Sequence, residues 1–214
     1  MFMLKDFAPD QSKISLNLGE FLAYREHLDR QLYLDTVINY ADGVVLVGES
    51  SVADELAGWI FEYNREDRGK PIEERQPIRL YINSPGGDVT GGFAIISTIM
   101  MSKTPVYTIN VGQWSSMAFL IGITGHRRFS LPNMTFLMHD GSLITAGSTN
   151  KAQDKMKFDQ RYENEVVKAH VLKHSKMTSS EYDALSRVEY YMLPEDAIKH
   201  GFIDKIIEDI DEIL

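Results

Sequence analysis

The chain of 214 residues contains no cysteine, which excludes disulfides and thiolate nucleophiles and agrees with a reducing compartment. It has no run of about 18 or more apolar residues, so no membrane-spanning helix is expected. The opening Met1-Phe-Met-Leu-Lys-Asp6 acquires charge too early for a secretory signal, and the expected location is cytoplasmic. Basic groups are outnumbered, 22 Lys and Arg against 31 Asp and Glu, for a formal charge of −9. No basic stripe is present to neutralise phosphates, so nucleic acid is not an expected partner. No HExxH motif is present, and no Gly-Lys-Ser/Thr follows the glycine pair at Gly86-Gly87; neither a metal, nor a phosphate-binding loop, nor any cofactor is expected.

What remains is the composition of an ordinary globular protein with alternating strand and helix patterns. Gly43 to Gly48 is a short β-branched run that reads as a buried strand, and Ser50 and Ser51 offer caps for a helix to about Tyr63. Residues 1–35 show no clear period, although Leu18 to Leu34 is compatible with a helix. A polar loop from Asn64 to Gln76 precedes a second strand, Ile78 to Ile82, which breaks at Asn83-Ser-Pro-Gly-Gly87 before a helix from Thr90 to Met101. Pro105 to Val111 and Met134 to Met138 are the third and fourth strands. Strands alternating with helices imply crossover connections, a largely parallel sheet and an α/β fold. From Asn150 to His174, the positions Met156, Phe158, Tyr162, Val166, Ala169 and Leu172 make one broad face of a long helix. Thr178-Ser-Ser-Glu181 reads as a capping box, Leu193 to Gly201 as a final helix with proline near its start and glycine at its stop, and Phe202 to Ile207 as a return to the sheet. No repeat or linker marks a second domain.

Two places suit chemistry. In Val111-Gly-Gln-Trp-Ser-Ser-Met117, two hydroxyls sit between a strand and an apolar helix, where unpaired backbone N–H groups favour a developing oxyanion. The Pro85-Gly86-Gly87 turn lets backbone N–H groups approach a substrate closely. A serine needs a base, usually a histidine held by a carboxylate, and His139 ends the fourth strand. The plain alternatives are that Ser115 and Ser116 are both helix caps, that His139 is a structural hydrogen-bonder, and that Pro-Gly-Gly is only a sharp turn. His126, His170, His174 and His200 lie in polar loops or helices. Residue types and spacing leave these alternatives open.

Tyr81-Ile-Asn-Ser-Pro-Gly-Gly87, Gly112-Gln-Trp-Ser-Ser-Met117, Leu131-Pro-Asn133 with Leu137-Met-His139, and Pro194-Glu-Asp-Ala-Ile-Lys-His-Gly-Phe-Ile-Asp204 together resemble the ClpP family, the proteolytic subunits of the Clp protease, over roughly residues 40–207. The resemblance implies a ClpP/crotonase-like α/β spiral of β-strand–helix units in a single peptidase domain over 36–214. A handle helix would protrude from it within about 140–175, after an unassigned N-terminal segment 1–35. It implies Ser116 as nucleophile, His139 as general base, and the Gly87 and Met117 N–H groups as oxyanion hole. Glu189 stands where the family carries an aspartate, with Asp183 and Asp140 as fallback carboxylates, and Ser115 is a packing or capping hydroxyl. Val188 replaces an arginine that many members use between rings, and Asp88 replaces a small or apolar residue beside the substrate.

The implied function is a serine endopeptidase subunit that hydrolyses short peptides through an acyl-enzyme. Unfolded proteins would be fed to it by an AAA+ unfoldase, inside a homo-oligomer of two stacked heptameric rings. A non-catalytic ring subunit is the alternative, to which Glu189 and Val188 point. The signal peptide peptidases share the Asn-Ser-Pro-Gly-Gly turn but use a serine–lysine dyad, and the His139 segment argues against them. A crotonase-type acyl-CoA enzyme has no serine nucleophile, and Ser116-Met117 with His139 argues against it.

Overall fold

Ile78, Leu80, Tyr81 and Ile82 are all buried, as in a strand covered on both faces, and the remaining elements are laid around that strand. The computed structural model describes residues 26–35, 38, 51–141 and 148–214. In chain order these form β1 (Gln31–Leu34), α1 (Val52–Glu66), β2 (Ile78–Ser84), α2 (Val89–Met101), β3 (Val106–Ser115), α3 (Met117–Gly122), β4 (Arg127–Ser130) and β5 (Thr135–Met138). There follow α4 (Thr149–Tyr162), a π-helical turn (Glu163–Val167), α5 (Lys168–Lys173), α6 (Ser179–Leu185), β6 (Tyr190–Met192), α7 (Pro194–Lys199) and β7 (Lys205–Ile206).

The sheet runs β1-β2-β3-β4-β7 with every pairing parallel, and β3 also pairs in parallel with β5. Among the described residues only β6 is antiparallel, added to β5. The chain is a mixed α/β protein with a mostly parallel sheet. β3 is the pivot, because its first half pairs with β4 and its last three residues pair with β5. Trp114, fully buried, stacks edge-on against Phe136 with ring centroids 5.3 Å apart. That contact extends the strand to Ser115, four residues past the expected end at Val111. Between Ile82 and Ser84 the β2–β3 register shifts. There a Cβ on Gly112 would fall 2.2 Å from Asn83 Oδ1, so no side chain fits at the bulge.

The capping signals hold. Ser51 accepts from Asp54 N at 3.1 Å, Thr178 and Glu181 form the capping box, and Gly201, with φ of 72°, follows α7. Gln31–Leu34 departs from the expected helix: Leu32 and Leu34 are buried while Tyr33 is exposed, the period-two pattern of a strand registered on β2. The expected strand from Gly43 to Gly48 lies outside the described residues. The polar loop after Tyr63 contains a buried hub, since Asp67 is fully buried and takes both guanidinium nitrogens of Arg30, at 2.5 and 3.0 Å.

The long helix is present from Thr149 to Lys173, but the π turn adds a residue to its winding. Its buried face therefore passes through Val167, His170 and Val171, and Ala169, expected on that face, is exposed. His170 is thus a buried residue, bonded through Nε2 to Thr124 Oγ1 at 3.0 Å. Met156 and Phe158 in α4 remain exposed.

Candidate active site

β3 carries the serine pair at its C-terminal end. Ser115 is a strand residue whose Oγ donates to Gln113 Oε1 at 3.2 Å. Ser116 is the single residue between β3 and α3, with φ 54° and ψ −121°, a strained region for a side-chain-bearing residue. Its N–H donates to Leu137 O at 3.0 Å, and its carbonyl accepts from Phe119 N at 3.0 Å. Its side chain makes no capping bond to α3. Neither serine caps a helix, which removes the plain reading of the pair. The strain is held by the run behind it, where Met117, Ala118, Phe119 and Ile121 are all buried.

The glycine turn packs directly on this turn. A Cβ on Gly86, whose φ is 97°, would meet Ser115 O at 2.7 Å and Met117 N at 2.8 Å, so glycine is required by contact as well as by conformation. Ile38 bridges Gly87 in parallel: Ile38 N donates to Gly86 O at 2.8 Å, and Asp88 N donates to Ile38 O at 2.7 Å. Bonds flanking a residue in this way turn its own N–H to the opposite side. Among the described residues neither the Gly87 nor the Met117 N–H has an acceptor. Two unpaired donors thus stand on two turns in contact.

His139 follows β5. The antiparallel register Leu137↔Tyr191 and Met138↔Tyr190 continues to His139 opposite Glu189, and cross-strand partners of this kind lie within side-chain reach. His139 Nδ1 and Glu189 Oε1 are 2.9 Å apart. A carboxylate only accepts, so Nδ1 carries the proton and Nε2 of the neutral ring is an acceptor. Nε2 is buried and unpaired, and His139, Ser116 and Met117 line one cleft. The extra methylene of glutamate is accommodated by the cross-strand position, with the Glu189 side chain 56% exposed.

The fallback carboxylates are placed elsewhere. Asp183 pairs with Lys168 at 2.6 Å, and Asp140 is exposed, with its N–H bonded to Ser186 O. Asp88 caps α2, accepting from Gly91 N at 2.6 Å. Val188 is exposed. Two residues that sequence reasoning passed over, Glu163 and Tyr182, also line the cleft. The π turn places Glu163 there, and no spacing rule anticipates that turn. Among the described residues no cluster of three or more His, Asp or Glu side chains is arranged to hold a metal ion, and no helix is long and apolar enough to cross a membrane.

Comparison with known proteins adds the following. A family model described as Clp protease matches residues 70–210. The ATP-dependent Clp protease proteolytic subunit of Deinococcus radiodurans is 30% identical over 172 residues, spanning 78% of this chain and 81% of that protein. Gly87, Ser116, Met117, His139 and Glu189 all fall within the span of the family model.

Proposed function

Because the chain belongs to the Clp protease family, we propose that it is a catalytically active serine endopeptidase subunit with Ser116 as nucleophile, His139 as general base and Glu189 as the group that orients it. The observation that supports this best is the His139–Glu189 bond at 2.9 Å, which leaves Nε2 as a buried, unpaired acceptor in the cleft it shares with Ser116.

In this mechanism Nε2 takes the Ser116 proton as Oγ attacks the peptide carbonyl. Among the described residues Ser116 Oγ has no hydrogen bond, so rotation of its side chain toward Nε2 closes the pair when substrate binds. The tetrahedral oxyanion accepts from the Gly87 and Met117 N–H groups, each supplying on the order of 3 kcal/mol. Glu189 stabilises the imidazolium. His139 then gives its proton to the departing amine, and water repeats the sequence on the acyl-enzyme.

The same reading makes residues 36–214 one peptidase domain and the long helix a handle between two stacked heptameric rings. Exposed Met156 and Phe158 support a partner for that helix. A chain without a phosphate-binding loop would depend on an AAA+ unfoldase, in the cytoplasm, for any use of ATP on folded substrates.

A fluorophosphonate probe tests the chemistry. Labelling at Ser116, lost in Ser116→Ala and in His139→Ala, is expected. An assembled particle that takes no label would leave the non-catalytic ring subunit as the answer. Sizing tests the assembly, because a stable monomer in solution would overturn the stacked rings.

A further inference from the structure

The Met117 N–H, one of the two oxyanion donors, belongs to the peptide whose carbonyl is that of Ser116. In a trans peptide the two groups point in opposite directions, so whatever fixes the carbonyl aims the N–H. Ser116 O accepts from Phe119 N at 3.0 Å and from Leu120 N at 3.3 Å. Leu120 is held in turn at its own carbonyl. There the helical pattern ends, with Thr124 N donating to Ile121 O, and two side chains take over: Thr124 Oγ1 donates to Leu120 O at 2.7 Å, and His170 Nε2 lies 3.2 Å from the same oxygen. A carbonyl only accepts, so Nε2 carries a proton. Thr124 Oγ1, 3.0 Å from Nε2, shares that proton while giving its own to Leu120. Burial lowers the pKa of His170, with the Leu120 bond opposing and Lys173 adding, and the ring is neutral with its one proton on Nε2. The ring also meets Phe93 of α2 edge-on, with centroids 5.9 Å apart. Next to Phe93, a Cβ on Gly92 would fall 2.2 Å from Met117 Cγ, so α2 closes directly on the residue that supplies the donor.

We propose that His170 is a positioning residue for the oxyanion hole: through Leu120 it holds the Ser116–Met117 peptide so that the Met117 N–H and the Gly87 N–H stay aimed at one point. The proposal rests on the peptidase reading above. His170 touches no reacting atom. It acts through the backbone, from Nε2 to Leu120 O, from Leu120 N to Ser116 O, and across one peptide plane to the Met117 N–H. A carbonyl that accepts two bonds also polarises its peptide and makes the N–H a stronger donor. An aliphatic side chain of similar size would fill the space but leave the end of α3 with one bond fewer. A donor displaced by a fraction of an ångström stabilises the oxyanion less.

The test is steady-state hydrolysis of one peptide, together with inhibition by the aldehyde of the same peptide, whose adduct with Ser116 carries the tetrahedral oxygen. His170→Leu should lower kcat about tenfold or more with KM within about twofold, a smaller loss than the roughly 10²–10³-fold expected for removing a donor outright. Binding of the aldehyde should weaken by the same factor as kcat/KM. His170→Gln, whose side-chain amide donates in place of Nε2, should restore most of both. Thr124→Val removes the companion bond and should move kcat and aldehyde binding in the same direction, which keeps the test decisive if His170→Leu does not fold. Thermal unfolding separates a plain packing role: a lowered Tm with kcat and aldehyde binding unmoved in the folded variants overturns the assignment and leaves the peptidase reading intact. A wild type that takes no label at Ser116 and hydrolyses no peptide would instead overturn the peptidase reading and this assignment with it.

Discussion

Two pairs of a basic side chain and a carboxylate, Arg30–Asp67 and His139–Glu189, show how differently one kind of contact is used. The side chains of Arg30 and Asp67 are 8% and 0% exposed, against 19% and 56% for His139 and Glu189. Asp67 is saturated: besides Arg30 it accepts from Lys70 Nζ at 2.8 Å and Thr104 Oγ1 at 3.0 Å. It ties the start of β1 to the end of α1 and leaves nothing over. The His139–Glu189 pair has one bond, one wet partner and one unused nitrogen. A sealed and satisfied network holds backbone in place, whereas a half-open pair leaves an atom available to react.

Breaking each pair should separate stability from activity. The largest effect is expected from Glu189→Ala, which should lower kcat for peptide hydrolysis about 10³–10⁴-fold while unfolding free energy in urea stays within about 0.5 kcal/mol. Retained turnover together with lost stability would show that the pair is structural. Asp67→Ala should do the reverse, removing about 3 kcal/mol of stability by leaving the buried Arg30 with the half-exposed Glu66 as its remaining counter-charge. A smaller shift would mean that Arg30 reaches water.

Acid sharpens the comparison further. The bond from Arg30 holds the Asp67 carboxyl well below the usual carboxylate range, with bonds from Lys70 and Thr104 adding and burial opposing. Its stabilisation is complete above the unfolded value of about 4 and is lost as pH falls further. Burial pulls the His174 imidazole down to about 4, with the nearby His170, Lys173 and Arg128 adding. Between about pH 6.5 and 4 the unfolded chain therefore binds the proton more readily, and stability declines across that window. His174→Gln should flatten the upper part of the decline in denaturation curves taken against pH, leaving the Asp67 part below it. The smallest effect is expected from Ser115→Ala, which loses one hydroxyl bond worth about 1 kcal/mol and should leave turnover in place. Loss of activity there would move the reactive hydroxyl from Ser116 to Ser115.

The parts of the chain that were legible are those whose signals are local. Thr178 with Glu181, Pro194 with Gly201, and the apolar run from Ile78 to Ile82 each state their structure within a few residues, because caps, stops and strand burial are nearest-neighbour properties. Short charged strands were illegible: β4 begins Arg127-Arg128, and it becomes a strand because Arg128 pairs with Asp204 and the segment registers on β3. Gln31–Leu34 looked helical until β2 supplied a partner.

For the site, the sequence by itself determined the kinds of group available: a serine before a buried helix, a glycine pair, a strand-ending histidine and a glutamate fifty positions on. Tertiary structure decided which of them meet. Ser116 is brought beside the end of β5 by the parallel pairing of β3, Glu189 is brought opposite His139 by the antiparallel addition of β6, and Glu163 is turned into the cleft by one extra residue of helical winding. Register and winding depend on contacts between distant segments, and a difference of one residue in either moves a side chain to another face.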